Sequence, residues 1–443
     1  MQLSAAAARA EEIVVRETVE LLRRDGVALP PPGQLEFAAQ FDRFADAKIV
    51  LLGEATHGTS EFYRARAAIT QRLIEEHGFN IVAVEADWPD AARIDRFVRH
   101  REPETSEEEA FARFPAWMWR NREVHDFVDC LRAHNENLTL DERAEFRGLD
   151  VYSLAASIDA VLRYLDRVDP EGAEEARTRY GCLTPWQSEP QHYGRAALSG
   201  RVDCEEEAVS QLRALLDRRL EYIMRDGENF FDASQNARIV RAAEQYYRIM
   251  YYGSAESWNL RDRHMFDTLQ RLMQHRGSDA KAVVWAHNSH IGNASATSMG
   301  WEGEFNIGEL CRTGYGDDAM LIGFGTDRGT VAAASDWGGD MEIKRVLPAR
   351  EDSYEHLFRH AGNSHSLTWW KGRKDLSEAL ANPRLERAIG VVYRPESELL
   401  SHYFRAVMPD QFDAYVWFEE TRAITPLRGA KPAGVPETYP FGL

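Results

Sequence analysis

The chain has 443 residues, enough for two or three average domains or for one enlarged α/β domain with insertions. Its 72 acidic and 53 basic residues leave a formal charge of −19, which opposes non-specific attraction to nucleic acid or anionic lipid and suits a neutral or cationic small substrate. No apolar run is long enough to span a bilayer, and the N-terminal stretch mixes alanine, glutamate and arginine, so neither a membrane span nor a signal peptide is expected. The four cysteines, Cys130, Cys182, Cys204 and Cys311, are scattered and form no C-x-x-C pair; they read as reduced thiols in a cytoplasmic protein, without a zinc site.

Ala5 to Arg24 carries Ile13, Val14, Val15, Val19, Leu21 and Leu22 among charged residues, the pattern of an amphipathic helix, and prolines at Pro30 to Pro32 break it. Lys48-Ile-Val-Leu-Leu52 is a short apolar run ending at Gly53. Phe62, Ala65, Ile69, Leu73 and Ile74 then recur at helical spacing until Gly78, which stands where a helix closes. Asn80-Ile-Val-Ala-Val84 is a second buried-looking run, and strand, helix and strand at this length make a right-handed βαβ unit. Further strands are expected at Phe146 to Leu149, Ala282 to Trp285, Met320 to Phe324, Ala388 to Tyr393 and Tyr415 to Phe418. Between Cys204 and Arg276 the chain reads as almost wholly helical, with helices at Ala208 to Met224, Asn236 to Tyr252 and Asp262 to His275, too much for a loop. The expectation is an α/β fold, a three-layer α/β/α sandwich with a mostly parallel sheet. Its catalytic domain is formed by 1–200 and 277–443 around a helical insertion over 201–276. A proline-containing tail, Gly429 to Leu443, closes the chain.

Several expected strands end in polar residues: Glu54 and His57 after the first, Glu85 after the second, Asp150 after the third, and His287 and His290 after Ala282 to Trp285. In a parallel α/β sheet ligands bind outside the carboxyl ends of the strands, so residues far apart in sequence meet on one rim. A single polar residue there means little. Three histidines and two glutamates at equivalent places point to acid and base chemistry.

Each has a plainer reading. Glu54 can cap the following helix with His57 exposed, although Gly53 and Gly58 mark a turn whose backbone must approach something closely. Glu85 abuts a buried strand and needs a partner, for which an arginine such as Arg66 would serve. His287 and His290 have a spacing that suits a metal or two imidazoles aimed into a cleft. Arg66 falls in the second turn after His57, where it either reaches back to the strand ends or lies on the surface. Trp117, Trp119 and Trp258 are either packing or the walls of an apolar cleft. His125, His264 and His402 default to structural or surface roles.

Leu51-Leu-Gly-Glu-Ala-Thr-His-Gly-Thr59, Val82-Ala-Val-Glu-Ala-Asp-Trp88 and Val283-Val-Trp-Ala-His-Asn-Ser-His290 together resemble the erythromycin esterase family. Trp258-Asn-Leu-Arg-Asp262, Val392-Tyr-Arg-Pro-Glu396 and the stretch from Gln411-Phe-Asp-Ala414 through Thr421-Arg-Ala423 extend the likeness to about Lys48 through Leu427. The resemblance implies a carboxylic esterase that opens macrolactones, an α/β sandwich whose helical insertion forms a deep cleft, and catalysis without a metal or other cofactor. It implies His57 as the general base for water, with Glu54, Arg66, Glu85, His287 and His290 as the other site positions. Trp117, Trp119, Trp258 and Arg261 are the expected substrate-binding residues, and the partner is a small ester or lactone.

Ester hydrolysis needs a base for water, a group to stabilise the oxyanion, and a proton for the leaving alkoxide. No Gly-x-Ser-x-Gly elbow is present, and no cysteine lies in the strand-end motifs, so direct attack by water is expected. In that scheme His57 is the base, Glu85 orients the water or the imidazole, and Glu54 holds the cluster's geometry. His287 or His290, with Arg66, stabilises the oxyanion or protonates the leaving oxygen. A metal-dependent hydrolase using the same histidines and glutamates as ligands is the runner-up, and a non-catalytic small-molecule binding protein is the third reading.

Overall fold

The computed structural model describes residues 5–101, 111 and 115–427; the tail Gly429 to Leu443 lies outside them. Its strands in chain order are β1 (Val27–Ala28), β2 (Ile49–Leu52), β3 (Ile81–Asp87), β4 (Glu145–Asp150), β5 (Ala282–Trp285), β6 (Ala319–Ala334), β7 (Met341–Val346), β8 (His365–Trp369), β9 (Arg384–Arg387), β10 (Tyr403–Ala406) and β11 (Ala414–Thr421). Strands β11, β6, β2, β5, β3 and β4 run parallel in that order. Antiparallel β8 and β1 continue the sheet beyond β11, and β7 pairs with the far half of β6. Strands β9 and β10 form a separate antiparallel ladder.

The central strands are all-apolar because both of their faces are covered. Val50, Leu52, Val82, Val84, Val283 and Trp285 share one core with Phe62, Tyr63, Ile69 and Leu73 of helix Ser60–His77 and with Phe127 and Leu131 of helix Arg122–Asn135. The alternate residues Ile49, Leu51, Ile81, Ala83, Ala282 and Val284 face a second core. It contains Met265, Leu269 and Leu272 of helix Ser254–Arg276 and Leu357 and Phe358 of helix Tyr354–Ala361. Helices on both faces of a mostly parallel sheet make a three-layer α/β/α sandwich. Gly78 ends the Ser60–His77 helix in the left-handed region, at φ 70°, as its place in the pattern requires.

A third apolar core lies among helices alone. Leu154–Val168, Pro170–Tyr180, Pro190–Leu198, Glu205–Asp217 and Arg219–Ile249 share a cluster that includes Leu154, Tyr164, Tyr193, Leu215, Tyr222 and Tyr247. Of the helices expected over 201–276, those before Ser254 pack with others that begin at Leu154, whereas Ser254–Arg276 packs on the sheet.

Three sequence expectations are corrected. Ala388 to Tyr393 is not a strand: only isolated bridges hold it, Ile389 to Thr56 and Val392 to Ala334. Its apolar character comes from Ile389 and Tyr393 packing against Val331, Ala333 and Val346. The N-terminal helix stops at Asp25, before the prolines, because the chain turns there into β1. Cys182 and Cys204 are joined in a disulfide, their Cα atoms 5.8 Å apart across a sequence separation of 22, while Cys130 and Cys311 are free. The inference of a cytoplasmic protein loses the support it drew from reduced thiols. Among the described residues no helix is long and apolar enough to cross a membrane.

Candidate active site

Strand register decides which residues meet. Leu52 and Val84 both pair with Trp285, so the segments that follow these three residues emerge side by side on the carboxyl rim of the sheet. The loop that bears His57 is held from several sides. Asn288 N donates to Glu54 O at 2.9 Å, Ala332 N and Ile424 N donate to Gly58 O at 3.1 and 3.0 Å, and the Tyr63 hydroxyl donates to His57 O at 3.0 Å. A Cβ on Gly53 would overlap the Asn288 side chain, and one on Gly58 would overlap the Ala332 carbonyl, so close approach is what these glycines permit.

His57 and His287 face one another, their ring centroids 4.9 Å apart and their planes tilted by 51°. His57 Nδ1 donates to Glu54 Oε1 at 2.9 Å, which leaves Nε2 for a water or substrate. The other oxygen of Glu54 accepts from Arg66 Nη2 at 2.6 Å. Arg66 is wholly buried, its guanidinium carbon 4.5 Å from the Tyr63 ring centroid and 5.1 Å from that of Trp285. On the facing side, Ser289 N donates to His287 Nδ1 at 3.2 Å, with Ser289 Oγ 2.8 Å from the same atom. A backbone donor on Nδ1 assigns the proton of a neutral ring to Nε2. Among the described residues that buried Nε2 has no hydrogen-bond partner. Burial, reinforced by the neighbouring His57, pushes the His287 pKa well below the ordinary histidine range, so its ring is neutral.

Behind the two rings lies a buried ionic network. Glu85 Oε2 accepts from His287 N at 2.9 Å and Oε1 from Arg261 Nη2 at 2.8 Å. Arg261 also grips Asp150 through Nε at 3.0 Å and Nη2 at 2.8 Å. His290 Nε2 lies 3.3 Å from Glu85 Oε1 and 3.1 Å from Arg261 Nη1, and its Nδ1 donates to Asp262 at 2.9 Å. The Trp258 ring stacks on His290 at 4.4 Å with planes 6° apart, its Nε1 donating to Phe305 O at 2.9 Å. Burial works against a charge on His290, but Asp262 and then Glu85 overcome it and raise the pKa to about 9. Burial would raise Glu85, yet His290, Arg261 and His57 hold it well below the usual carboxylate range. Among the described residues no group of three or more histidine, cysteine, aspartate or glutamate side chains is arranged to hold a metal ion. The oxygens of Glu85 and the nitrogens of His290 already face partners within the network.

A family model for erythromycin esterase matches residues 74–421. The chain belongs to the erythromycin esterase family. The match begins beyond the His57 loop, so for that loop the geometry above stands on its own. The chain is 19% identical over 386 residues to the Escherichia coli protein named erythromycin esterase type II, covering 80% of this chain and 91% of that one. The crystal structure of a succinoglycan biosynthesis protein superposes with a TM-score of 0.78 at 19% identity, covering 93% of this chain and 98% of the other. An erythromycin esterase mutant in its open conformation gives a TM-score of 0.63 at 17% identity, covering 87% and 94%. At such identities the likeness establishes the fold. Family membership supports a hydrolase.

Within this erythromycin esterase fold all six expected site positions, Glu54, His57, Arg66, Glu85, His287 and His290, come together. Their surroundings divide them: His57 and His287 face each other, whereas Arg66, Glu85 and His290 are sealed in partnerships with other protein groups. Arg261, expected to bind substrate, is bound to Asp150 and Glu85 and is 5% exposed. Trp119 packs edge-on against Tyr63 at 6.2 Å, and Trp117 lies in the same core. Trp258 covers His290. All four side chains are buried among other protein groups. Sequence reasoning gave no role to Asp262 or Ser289, although both lie inside the quoted Trp258 and Val283 motifs. An aspartate beside Arg261 and a serine two residues after His287 were the available signals. His264 is buried, and burial followed by Arg271 lowers its pKa to about 4.

Proposed function

We propose that the protein hydrolyses a carboxylic ester or lactone, macrolactones of macrolide antibiotics included, by direct attack of a water molecule that His57 activates. The observation that carries this reading is the opposed pair of imidazoles, His57 fixed by Glu54 through Nδ1 and His287 offering an unpartnered Nε2 at 4.9 Å between centroids. His57 Nε2 takes a proton from water as the oxygen attacks the carbonyl carbon, and the Glu54 carboxylate stabilises the imidazolium that forms. His287 Nε2–H, held neutral, donates to the oxyanion of the tetrahedral intermediate. Collapse of that intermediate breaks the bond to the alkoxide, which takes the proton back from His57. Arg66 acts through Glu54. Glu85, Arg261, Asp150, His290 and Asp262 fix the backbone of His287 and supply a constant field.

The test is incubation of the purified protein with erythromycin and with a panel of simple esters, with and without a chelator. Mass spectrometry follows the addition of one water. Turnover that survives the chelator and disappears in His57→Ala supports the reading. Turnover abolished by the chelator, or stoichiometric binding of every compound with none hydrolysed, overturns it.

A further inference from the structure

Asn288 follows His287 and is wholly buried. Its backbone N donates to Glu54 O at 2.9 Å, its Nδ2 to Phe324 O at 2.8 Å and to Glu386 Oε1 at 3.0 Å, and its Oδ1 accepts from Phe324 N at 3.2 Å. This one residue thus joins the segment that carries His287 to the His57 loop through its backbone and to β6 and β9 through its side chain. Gly53 leaves the space it occupies.

The contact on β9 is a carboxyl group in unusual surroundings. Glu386 is wholly buried, and among the described residues no lysine, arginine or histidine forms an ion pair with it. The guanidinium of its neighbour Arg387 is taken by Glu398 and by the carbonyls of Thr326, Asp327 and Leu347. The groups that face Glu386 are Glu355 and Tyr354 from helix Tyr354–Ala361, Gln411 from helix Met408–Gln411, Tyr415 from β11 and, across the ladder, Phe404 of β10. Among the described residues Glu355 Oε2, Glu386 Oε2, both amide atoms of Gln411 and the Tyr415 hydroxyl are buried without a well-aligned hydrogen bond, although the Gln411 amide lies near enough to Glu386 to favour its charged form in part. A carboxylate here would be an uncompensated anion beside a second acid, which such a site disfavours strongly. Burial, then Glu355, accordingly pushes the Glu386 pKa up to about 8.

We propose that Glu386 is a positioning residue for the hydrolysis: as a neutral acid it accepts from Asn288, and through Asn288 it seats the His287 segment against the His57 loop. The activity readout of this proposal rests on the hydrolase reading above; its structural readout does not. When Glu386 loses its proton the buried anion meets no cation, the β9–β10 hairpin shifts to hydrate it, and Asn288 follows. Glutamine keeps the acceptor and adds a donor for Glu355 Oε2 or Gln411 Oε1. Leucine removes the link.

The experiment compares the full chain with Glu386→Gln and Glu386→Leu from about pH 6 to about pH 10. It records kcat and KM for a hydrolysed ester, hydrogen exchange of the peptide spanning Asn288, and the infrared band of a protonated carboxyl. The expected wild-type kcat falls about tenfold or more on the alkaline side as the carboxyl band titrates near pH 8 and exchange around Asn288 quickens beyond its intrinsic rise with pH. Glu386→Gln lacks the band, keeps a wild-type rate at neutral pH and loses the part of the alkaline fall centred near pH 8, leaving only that of His290 near 9. Glu386→Leu lowers kcat about tenfold at every pH with KM little changed. A fall centred near pH 8 that persists in Glu386→Gln, or protection of the Asn288 region from exchange that stays constant relative to the intrinsic rate while the band titrates, overturns the proposal. The exchange and infrared results decide it even if no ester is turned over.

Discussion

Replacing Glu54 by glutamine separates the structural task of this carboxylate from its task at His57. Glu54 and Arg66 are both wholly buried and 2.6 Å apart, and the Nε and Nη1 atoms of Arg66 have no other hydrogen-bond partner. Taking one charge from such a pair leaves the other without compensation and costs about 3–5 kcal/mol. The Tyr63 and Trp285 rings over the guanidinium place the expected loss at the lower end, about 3 kcal/mol. Arg66→Met costs a similar amount, because Glu54 is then stranded, whereas the double variant Glu54→Gln with Arg66→Met removes both charges and costs about 1 kcal/mol. Activity follows another rule. Without the carboxylate on Nδ1 the His57 imidazolium is not stabilised, and kcat falls about 10²- to 10⁴-fold in Glu54→Gln and equally in the stable double variant. Urea unfolding supplies the stabilities and ester hydrolysis the rates. Single-variant costs that add to the double-variant cost within about 0.5 kcal/mol would refute the coupling. A double variant with the wild-type rate would refute the role given to Glu54 at His57.

His287→Gln is expected to lower kcat about 10²- to 10³-fold with little change in KM, since it alters a donor used by the oxyanion; a change confined to KM would contradict that role. His290, raised to about 9 from an ordinary 6.5, stabilises the fold fully below about pH 6.5, and this contribution is lost as pH rises through 9. Thermal unfolding measured from about pH 6 to about pH 10 should therefore show a fall in wild-type Tm that is smaller in Asp262→Asn, and equal falls would count against the pairing. Reduction of Cys182–Cys204, or Cys182→Ser, removes a link closing about 22 residues and should cost about 3 kcal/mol, read by denaturant unfolding with a thiol count by mass spectrometry. Four titratable thiols in the untreated, unfolded protein would show that the link does not form.

The amino-acid sequence by itself determined the parallel sheet and the rim on which its polar residues gather. Ile49 to Leu52 and Ala282 to Trp285 are apolar at every position because strands covered on both faces must be, and this pattern is local. Glu54 and His287 were legible for the same reason, as the first polar residues beyond such strands, with His57 and His290 three residues further on; Glu85 was legible as the first polar residue after the apolar run Ile81 to Val84, although β3 continues through it to Asp87. Edge strands escaped detection: β1 is two residues long, and β7 carries charged Glu342, Lys344 and Arg345 with no clean apolar alternation, its Ile343 being exposed. Only the tertiary structure decided which of these groups faces open chemistry and which is enclosed. That choice depends on Leu52 and Val84 both aligning with Trp285, and on the long helix Ser254–Arg276 bringing Arg261 and Asp262 against Glu85 and His290. Contacts of this kind span as many as 202 residues of chain and the Cys182–Cys204 link only 22, yet both are set by packing across elements and leave no periodic trace in the sequence.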